Sequence, residues 1–531
     1  MADIKIVGGS SGSGGRGDCG EGCQQPQQPP FVEDVEIWVY ARLDGSDCDG
    51  DGSLCNPYRT FMRAIRDVPT EVSAGVYYHV DITGLGAEKL TQGYTFPPFR
   101  GADDVAGVFD FDQEFFSCKG IVNIQADPQL ATGVTGLTTI AAGSFVPDPT
   151  TGMQVVHVPG AGWTNDQLVG KFWINNSVGP LNAVIWKNDT EHVWLTQSAP
   201  LTGPIYPARI MEPSANLYAD RAQTPLAPVP DLHYGAVNVF NAQVALLGLK
   251  INATPTVPSP TDLNFQNFGL HISGTTPRVS MQLCDLKAVG VTTDGWGYVR
   301  ICYLPQALFL NAPLLIINSL IHRSMDAGNG TNGIGLTFFG ARGVDSLCRQ
   351  TVFLKCNTLM FRDLFDTFAA ATVPNLLLVQ CQFMNQTGSL PLGKNAQNFD
   401  GIRFVGSFLR MIHCDVSRDD GQLGGSAIVA QGNCTQVSLM NVTGKGYARF
   451  GCEVIDGANV EVNDLGLGAT NVTGAMGDVC VGSVPPLPGT GNGWALVANV
   501  YPPPPAVVPP NSSVVDYGGA NAQGCRLWRA S

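Results

Sequence analysis

The sequence predicts an all-β chain in which short parallel strands stack into a solenoid. The first observation is a five-residue phrase that recurs between Val244 and Leu467. It reads Leu247-Gly248-Leu249-Lys250-Ile251, Cys284-Asp285-Leu286-Lys287-Ala288, Ile317-Asn318-Ser319-Leu320-Ile321, Leu354-Lys355-Cys356-Asn357-Thr358, Val379-Gln380-Cys381-Gln382-Phe383, Ile412-His413-Cys414-Asp415-Val416, Leu439-Met440-Asn441-Val442-Thr443 and Asn463-Asp464-Leu465-Gly466-Leu467. Its centres lie 37, 33, 37, 25, 33, 27 and 24 residues apart, the range in which repeats stack as solenoids. Positions one, three and five are mostly apolar or small and the others mostly polar, the period of a strand with one buried face. The second observation is a set of glycine-bounded runs at 269–274, 333–340, 401–406 and 451–457, each followed shortly by the next phrase. One repeat therefore holds at least two strands, and the glycines would supply the positive φ of its corners. The third is composition: charged residues are only 14%, with 63 Gly and 36 Pro, a balance that favours strands and turns.

These phrases resemble the right-handed parallel β-helix family, the pectin-lyase-like solenoid of polysaccharide lyases, some glycosidases and bacteriophage tailspikes. The resemblance covers roughly residues 75–130 and 215–470 and rests on pattern rather than on a diagnostic motif. It implies a fold, and leaves activity to be argued from the site.

In chain order, residues 1–34 are low in complexity, Gly- and Ser-rich and then Gln- and Pro-rich. Alone such a segment buries too little to fold, which predicts a docking arm that orders on a partner. Within it Arg16-Gly17-Asp18 spells an adhesion tripeptide, read here as a chance product of composition. Residues 35–132 are expected to hold an N-terminal cap and the first rungs, Tyr77 to Gly84 and Gly120 to Ala126. The aspartates from Asp44 to Asp51 have the look of a calcium loop, but position twelve from Asp47 is Tyr58 rather than a Glu, so a polar turn is expected. Asn56-Pro57 reads as a helix cap, with Phe61, Ile65 and Val68 on one face of a short helix. As in many β-helix proteins, such a helix would cover the open end of the solenoid.

Residues 133–212 change to longer alternating strands, at Met153–Val158, Lys171–Asn175, Asn182–Lys187 and His192–Thr196, and predict a small inserted β-domain. It carries Trp163, Trp173, Trp186 and Trp194, half of the eight tryptophans; core packing is favoured over sugar platforms for them. The main helix is expected over 213–470. Residues 471–531 form a Gly/Pro-rich tail in which Pro502 to Pro505 and Pro509-Pro510 exclude regular ladders.

The net charge of −14 argues against nucleic acid and anionic membrane as partners. No run is long and apolar enough to span a bilayer, and residues 1–9 lack a basic and apolar secretion signal, which predicts assembly in a host cytoplasm. Among the 15 cysteines, Cys356, Cys381 and Cys414 are expected in one inward slot of successive rungs. Cys19 with Cys23, and Cys48 with Cys55, are spaced to pair. Neither a cofactor nor a metal site is indicated by motif.

Chemistry is expected on outward ladder positions, where parallel strands hold side chains in register. The densest cluster is His413, Asp415, Arg418, Asp419 and Asp420, with Glu453 one or two rungs on. A glycosidase needs two carboxylates, for which Asp415 with Asp419, Asp420 or Glu453 are candidates; a lyase needs a base and a cation, for which His413 with Arg418 or Arg410 are candidates. Trp296 and Arg418 are candidate glycan contacts, and Asp294 with Trp296, and His322 with Arg323 and Asp326, are weaker groups. Two function classes follow. One is a virion appendage of a phage or phage-derived particle, a tailspike or fibre attached by residues 1–34, binding host surface polysaccharide. Apolar outward positions such as Leu320, Val442 and Ile428 would then face other subunits of a homotrimer. The other is a polysaccharide-degrading lyase or glycoside hydrolase, and a passive adhesin is a third, weaker class.

Overall fold

The computed structural model describes residues 3–6, 35–73, 75–90, 94–97, 100–101, 121–147, 154–175, 182–196, 203–205, 207–221, 235–255, 268–273, 278–286, 289–292, 296–305, 307–310, 314–322, 337–339, 345–356, 358–361, 375–386, 401–405, 408–418, 427–431, 436–440, 442–445, 452–455, 459–463, 478–482, 514–520 and 526–530. Three long sheets run through them. Each turn of the chain contributes one strand to each: Gln243–Leu247 to the first, Leu249–Pro255 to the second, Phe268–Ser273 to the third, and then Arg278–Gln282 to the first again. Within each sheet every such strand pairs in parallel with its counterpart one coil on. The fold is a parallel β-helix. Its inward residues form one continuous core from Val39 through Ile251, Met281, Phe353, Phe383 and Val416 to Leu439.

The corner between the first and second sheets explains the recurring phrase. In seven successive coils it is one left-handed residue: Gly248, Leu283, Ile301, Asn318, Gln350, Gln380 and His413, all with φ between 48° and 68°. Only one is a glycine; of the glycines expected at corners, Gly274, Gly333, Gly340, Gly406, Gly451 and Gly457 lie outside the described residues. Each non-glycine corner costs about 1 kcal/mol or more of backbone strain, and two features offset it. The corner N–H still joins the ladder, as from Gln380 to the Ile412 carbonyl at 2.8 Å and from His413 to that of Met440 at 2.9 Å. The next side chain turns inward and donates to the carbonyl two residues back: Ser319 Oγ to Ile317 at 2.9 Å, Thr351 Oγ1 to Arg349 at 3.0 Å, Cys302 Sγ to Arg300 at 3.3 Å and Cys414 Sγ to Ile412 at 3.4 Å. All six non-glycine corners are followed by a small side chain with a donor, whereas the unstrained Gly248 is followed by Leu249. Cys381 and Cys414 share it as expected, together with Cys284 and Cys302. Cys356 does not: it follows the left-handed Lys355 at the next corner, between the second and third sheets.

The ends of the solenoid are covered. Asp3–Ile6, inside the predicted docking arm, pairs antiparallel with Val35–Tyr40 on the first sheet. The helix Phe61–Arg66 buries Phe61, Ala64 and Ile65. Its N-cap is Thr60 rather than Asn56, because Asn56 spends its amide on the Asp49 carbonyl and Tyr58 extends the backbone ladder to Tyr40. Asp47 accepts from the Arg59 and Thr60 amides and the Thr60 hydroxyl, so this aspartate works as a clasp within the turn. Cys48 and Cys55 are both exposed free thiols; Cys19 and Cys23 lie outside the described residues. At the other end the ladder does not stop at Leu467. Asp478–Gly482 continues the third sheet in parallel, and Arg526–Ala530 and Val514–Ala520 close it antiparallel.

The insert leaves the solenoid at the same corner, between Val122–Gln125 of the first sheet and Ala215–Arg221 of the second. Its strands, from Gln129–Leu130 to Ala208–Glu212, pair only antiparallel among the described residues. Alternation then assigns its two faces. Trp173, Ala183, Ile185, Val193, Leu195 and Ile210 turn into the insert's own core with Trp163. Phe172, Val184, Trp186, Trp194 and Met211, their neighbours in sequence, turn onto the outer face of the second sheet, against Leu283, Ile301, Tyr303, Leu320, Val352 and Met384. Thr196 Oγ1 donates to the Asn318 carbonyl across this junction at 2.8 Å.

This contact corrects the reading of the apolar outward positions. Leu320 is covered by the insert, not by another subunit. Ile428 points into the solenoid core, and Val442 packs against that core.

Candidate functional site

The outward columns of the second sheet change character where the insert ends. Register places Asn216, Lys250, Asp285, Tyr303, Leu320 and Val352 in one column. The next outward column carries Lys89, Tyr218 and Asn252. Leu320 and Val352 of the first column lie beneath the insert, and beyond them the register carries the column on to Gln382 and Asp415. Before Tyr303 it is open and polar: Asn252 Nδ2 donates to Asn216 Oδ1 at 3.1 Å, and Lys250 Nζ lies 3.5 Å from Asp285 Oδ2. The insert contributes the opposite bank. Glu212, three residues before the second-sheet strand resumes at Ala215, accepts from Lys171 Nζ, from Thr132 Oγ1 at 2.5 Å and from the Thr132 amide at 3.0 Å. The Asp285 and Glu212 side chains retain 17% and 14% exposure, so both carboxylates are partly sheltered without being sealed.

Their environments pull the two carboxylates apart. Burial raises the Asp285 carboxyl above the ordinary range; Lys250 and Lys171 oppose that only in part, and the charge of Glu212 adds to it. Burial works in the same direction on Glu212, but the hydrogen bonds from Lys171 and Thr132 outweigh it and hold that carboxyl below its ordinary value. Each carboxyl is thus displaced from its own ordinary value, Asp285 upward and Glu212 downward. Such a divergence separates an acid from a base or nucleophile within one carboxylate pair. Behind them Tyr303 Oη lies 3.1 Å from His322 Nδ1. Burial, then the Asp285 charge, raises the Tyr303 phenol, and burial, then Lys355, lowers the His322 imidazole to about 4.

The residues predicted from sequence are distributed differently. His413 is an exposed corner residue. Asp415 is buried in the second sheet, where Ser417 Oγ donates to Oδ1 at 2.9 Å. Arg418 is buried too, its Nη1 donating to the Gln386 carbonyl at 2.7 Å. The backbone of Glu453 belongs to the third sheet, paired with Val429, and not to the second sheet with Asp415. Trp296 opens a strand of the first sheet opposite Arg278. Asp419, Asp420, Asp294, Arg323 and Asp326 lie outside the described residues. Of the weaker groups, His322 is the one the junction uses. Lys250 and Asp285 stand at the fourth and second places of consecutive phrases, so the phrase alignment does not pair them and only the observed register does; nothing local pointed to Lys171 or Glu212. Among the described residues no group of three or more His, Cys, Asp or Glu could hold a metal ion, and no helix is long and apolar enough to cross a membrane.

No family model and no curated protein matches the sequence. Among solved structures the chain is similar to XylC in its complex with xylose, at 9% identity over 81% of this chain and 69% of that one, with a TM-score of 0.29. It is similar to a glycoside hydrolase, at 9% identity over 82% and 97%, with a TM-score of 0.25. A third is the tailspike gp61 of Pseudomonas phage phi297, at 9% identity over 76% and 70%, with a TM-score of 0.24. The parallel β-helix rests on the strand register described above, not on these likenesses.

Proposed function

We propose that the chain is a glycan-binding parallel β-helix that hydrolyses a glycosidic bond at the junction of the insert with the second sheet. The observation that carries this reading is the placing of two partly exposed carboxylates at the insert's junction, Asp285 beside Lys250 and Glu212 held by Lys171 and Thr132. Asp285 is the general acid that protonates the leaving oxygen, and Glu212, kept ionised by Lys171 and Thr132, is the base or nucleophile. Asn216, Tyr218 and Asn252 line the approach with amides and one aromatic ring, which suits hydroxyl-rich, weakly amphipathic sugar rings. The setting we propose is a virion appendage: a phage or phage-derived particle carries the chain by residues 1–34, in the homotrimeric form of a tailspike, and uses it on host surface polysaccharide. The Gly-, Ser- and Gln-rich composition of that segment supports the docking role.

The test is release of reducing ends from a panel of bacterial surface polysaccharides by the full chain, its Asp285→Asn and Glu212→Gln variants, and His413→Ala with Asp415→Asn. Loss of cleavage only in the first pair supports the junction. Loss only in the second pair moves the site to the cluster around Asp415, and no cleavage by the unaltered chain leaves a binding protein.

A further inference from the structure

Resting on the hydrolysis reading, we infer that Tyr303 is a positioning residue and Gly170 its seat: the contact of the bare Gly170 backbone with the Tyr303 ring fixes how far the insert's Glu212 stands from the solenoid's Asp285. The two carboxylates belong to different layers of the molecule, so their spacing is set by where those layers touch. A Cβ on Gly170 would lie 2.5 Å from both Cδ1 and Cε1 of the Tyr303 ring and 2.9 Å from Cγ. Only glycine fits there without pushing one layer off the other, and its φ of 84° asks for glycine independently.

Each side of this contact leads in one step to a carboxylate. On the insert the next residue is Lys171, whose Nζ donates to Glu212. The backbone there is tied to the insert's core strand twice, by the Gly170 amide to the Ile185 carbonyl at 2.8 Å and by the Ile185 amide to the Lys171 carbonyl at 2.9 Å. On the solenoid Tyr303 stands opposite Asp285 on the next coil, roughly 4.8 Å along the ladder. The ring cannot swing aside without breaking the 3.1 Å contact of its Oη with His322 Nδ1. The insert's other seats lie further off: Leu320, Val352 and Met384 belong to later coils, as does the Asn318 carbonyl that holds Thr196. A methyl group at position 170 would therefore shift the insert at the notch itself, and a misplacement of about 1 Å can cost about 10²-fold in rate.

The test compares the full-length chain with Gly170→Ala, Tyr303→Ala, Tyr303→Phe and the double variant Gly170→Ala with Tyr303→Ala, on a polysaccharide that the unaltered chain cleaves and at a temperature where each is folded. Gly170→Ala is expected to lower kcat about 10²-fold and to change KM by about threefold or less. Tyr303→Phe, which keeps the ring, should lose far less than Tyr303→Ala. The double variant should be no slower than Tyr303→Ala alone, because the added methyl group meets nothing once the ring is gone. The strain of a left-handed alanine is common to both backgrounds, so this non-additivity isolates the contact. Equal fractional losses from Gly170→Ala with and without the ring, or a melting point that falls while kcat is kept, overturn the inference and leave the hydrolysis reading standing. Should Gly170→Ala fail to fold, equal kcat for Tyr303→Phe and Tyr303→Ala overturns it instead. If the unaltered chain cleaves no polysaccharide in the panel, both fall.

Discussion

The Tyr303 hydroxyl and the His322 imidazole meet at 3.1 Å on adjacent coils, at the edge of the insert's footprint on the solenoid. Burial acts on both: the phenol is raised and keeps its proton, and the imidazole is lowered from 6.5 to about 4 and stays neutral. Tyr303 is therefore the donor and Nδ1 the acceptor. A histidine whose folded pKa is depressed stabilises the fold above its unfolded pKa, and that contribution is lost as pH falls towards the folded value. Between pH 6.5 and 4 the loss amounts to about 3 kcal/mol. The thermal midpoint should accordingly fall on acidification from pH 6.5 to 5, before most carboxylates titrate. In His322→Gln that part of the profile should be flat, and superimposable profiles for the two proteins would refute the assignment.

The insert is held by apolar contact, so its docking should respond to cavity formation. Trp186 and Leu320 are buried at the junction, the one from the insert and the other from the second sheet. Trp186→Ala should cost about 3–5 kcal/mol and Leu320→Ala about 2–5 kcal/mol. Both should make the connection near Asp127 and Pro213 cleavable by proteases while the solenoid persists as a resistant fragment. If cleavage instead spreads through the second sheet, the insert is not a separable layer.

Sequence and structure agree where periodicity carries the information, and part company at corners and long-range contacts. Alternation in Val379 to Phe383 and in Ile412 to Val416 shows which residues turn inward, because inward and outward slots differ in polarity. It does not show that Gln380 is left-handed, since glutamine does not signal positive φ, and the fold imposes that through the ladder on both sides; His413 is of a type enriched there, but only weakly so as a signal. Leu320 misleads for a related reason: an apolar outward residue is covered either by another subunit or by another part of the chain. Only contact with Trp186 and Val184, more than 130 residues earlier in the sequence, decides between them. Glu212 was invisible because its chemistry depends on Lys171 and Thr132, which meet it only when the insert folds.

The inward corner slot gives a sharper test of the fold than any surface residue. Ser319 and Cys381 occupy it in different coils and make the same bond to the carbonyl two residues back. Cys381→Ser should therefore fold with a stability change of about 1 kcal/mol or less, since the hydroxyl preserves the bond. Cys381→Val, which fills the slot without a donor, should lose about 1–3 kcal/mol. Equal denaturation midpoints for the two variants would show that the bond contributes nothing.

Gly248 is the one corner of this series where space as well as φ demands glycine. Its φ is 68°, and a Cβ there would lie 2.0 Å from the carbonyl oxygen of Ala126, the residue from which the chain departs towards the insert. Gly248→Ala must displace backbone rather than a flexible side chain. A loss of several kcal/mol is expected, beyond the roughly 1 kcal/mol of a left-handed alanine alone. The neighbouring corner Gln380→Ala should be nearly neutral, because a non-glycine residue already stands there. A similar midpoint for both alanine variants would remove the steric argument.

The last prediction concerns the shape of the pH–rate profile for the proposed hydrolysis. With Asp285 raised and Glu212 lowered, activity should rise as Glu212 ionises on the acid side and fall as Asp285 loses its proton at higher pH. Asp285→Asn should remove the descending limb and reduce turnover of the natural glycan by about 10²- to 10⁴-fold, the usual contribution of a general acid. A sugar bearing a good leaving group needs no protonation, so the same variant should recover most of its rate on an activated aryl glycoside. Lys171→Met should act on the other limb: without the ammonium, Glu212 loses its main support against burial, and the ascending limb should move to higher pH. A descending limb that survives Asp285→Asn would assign the acid to a different residue, whatever the effect of Lys171→Met.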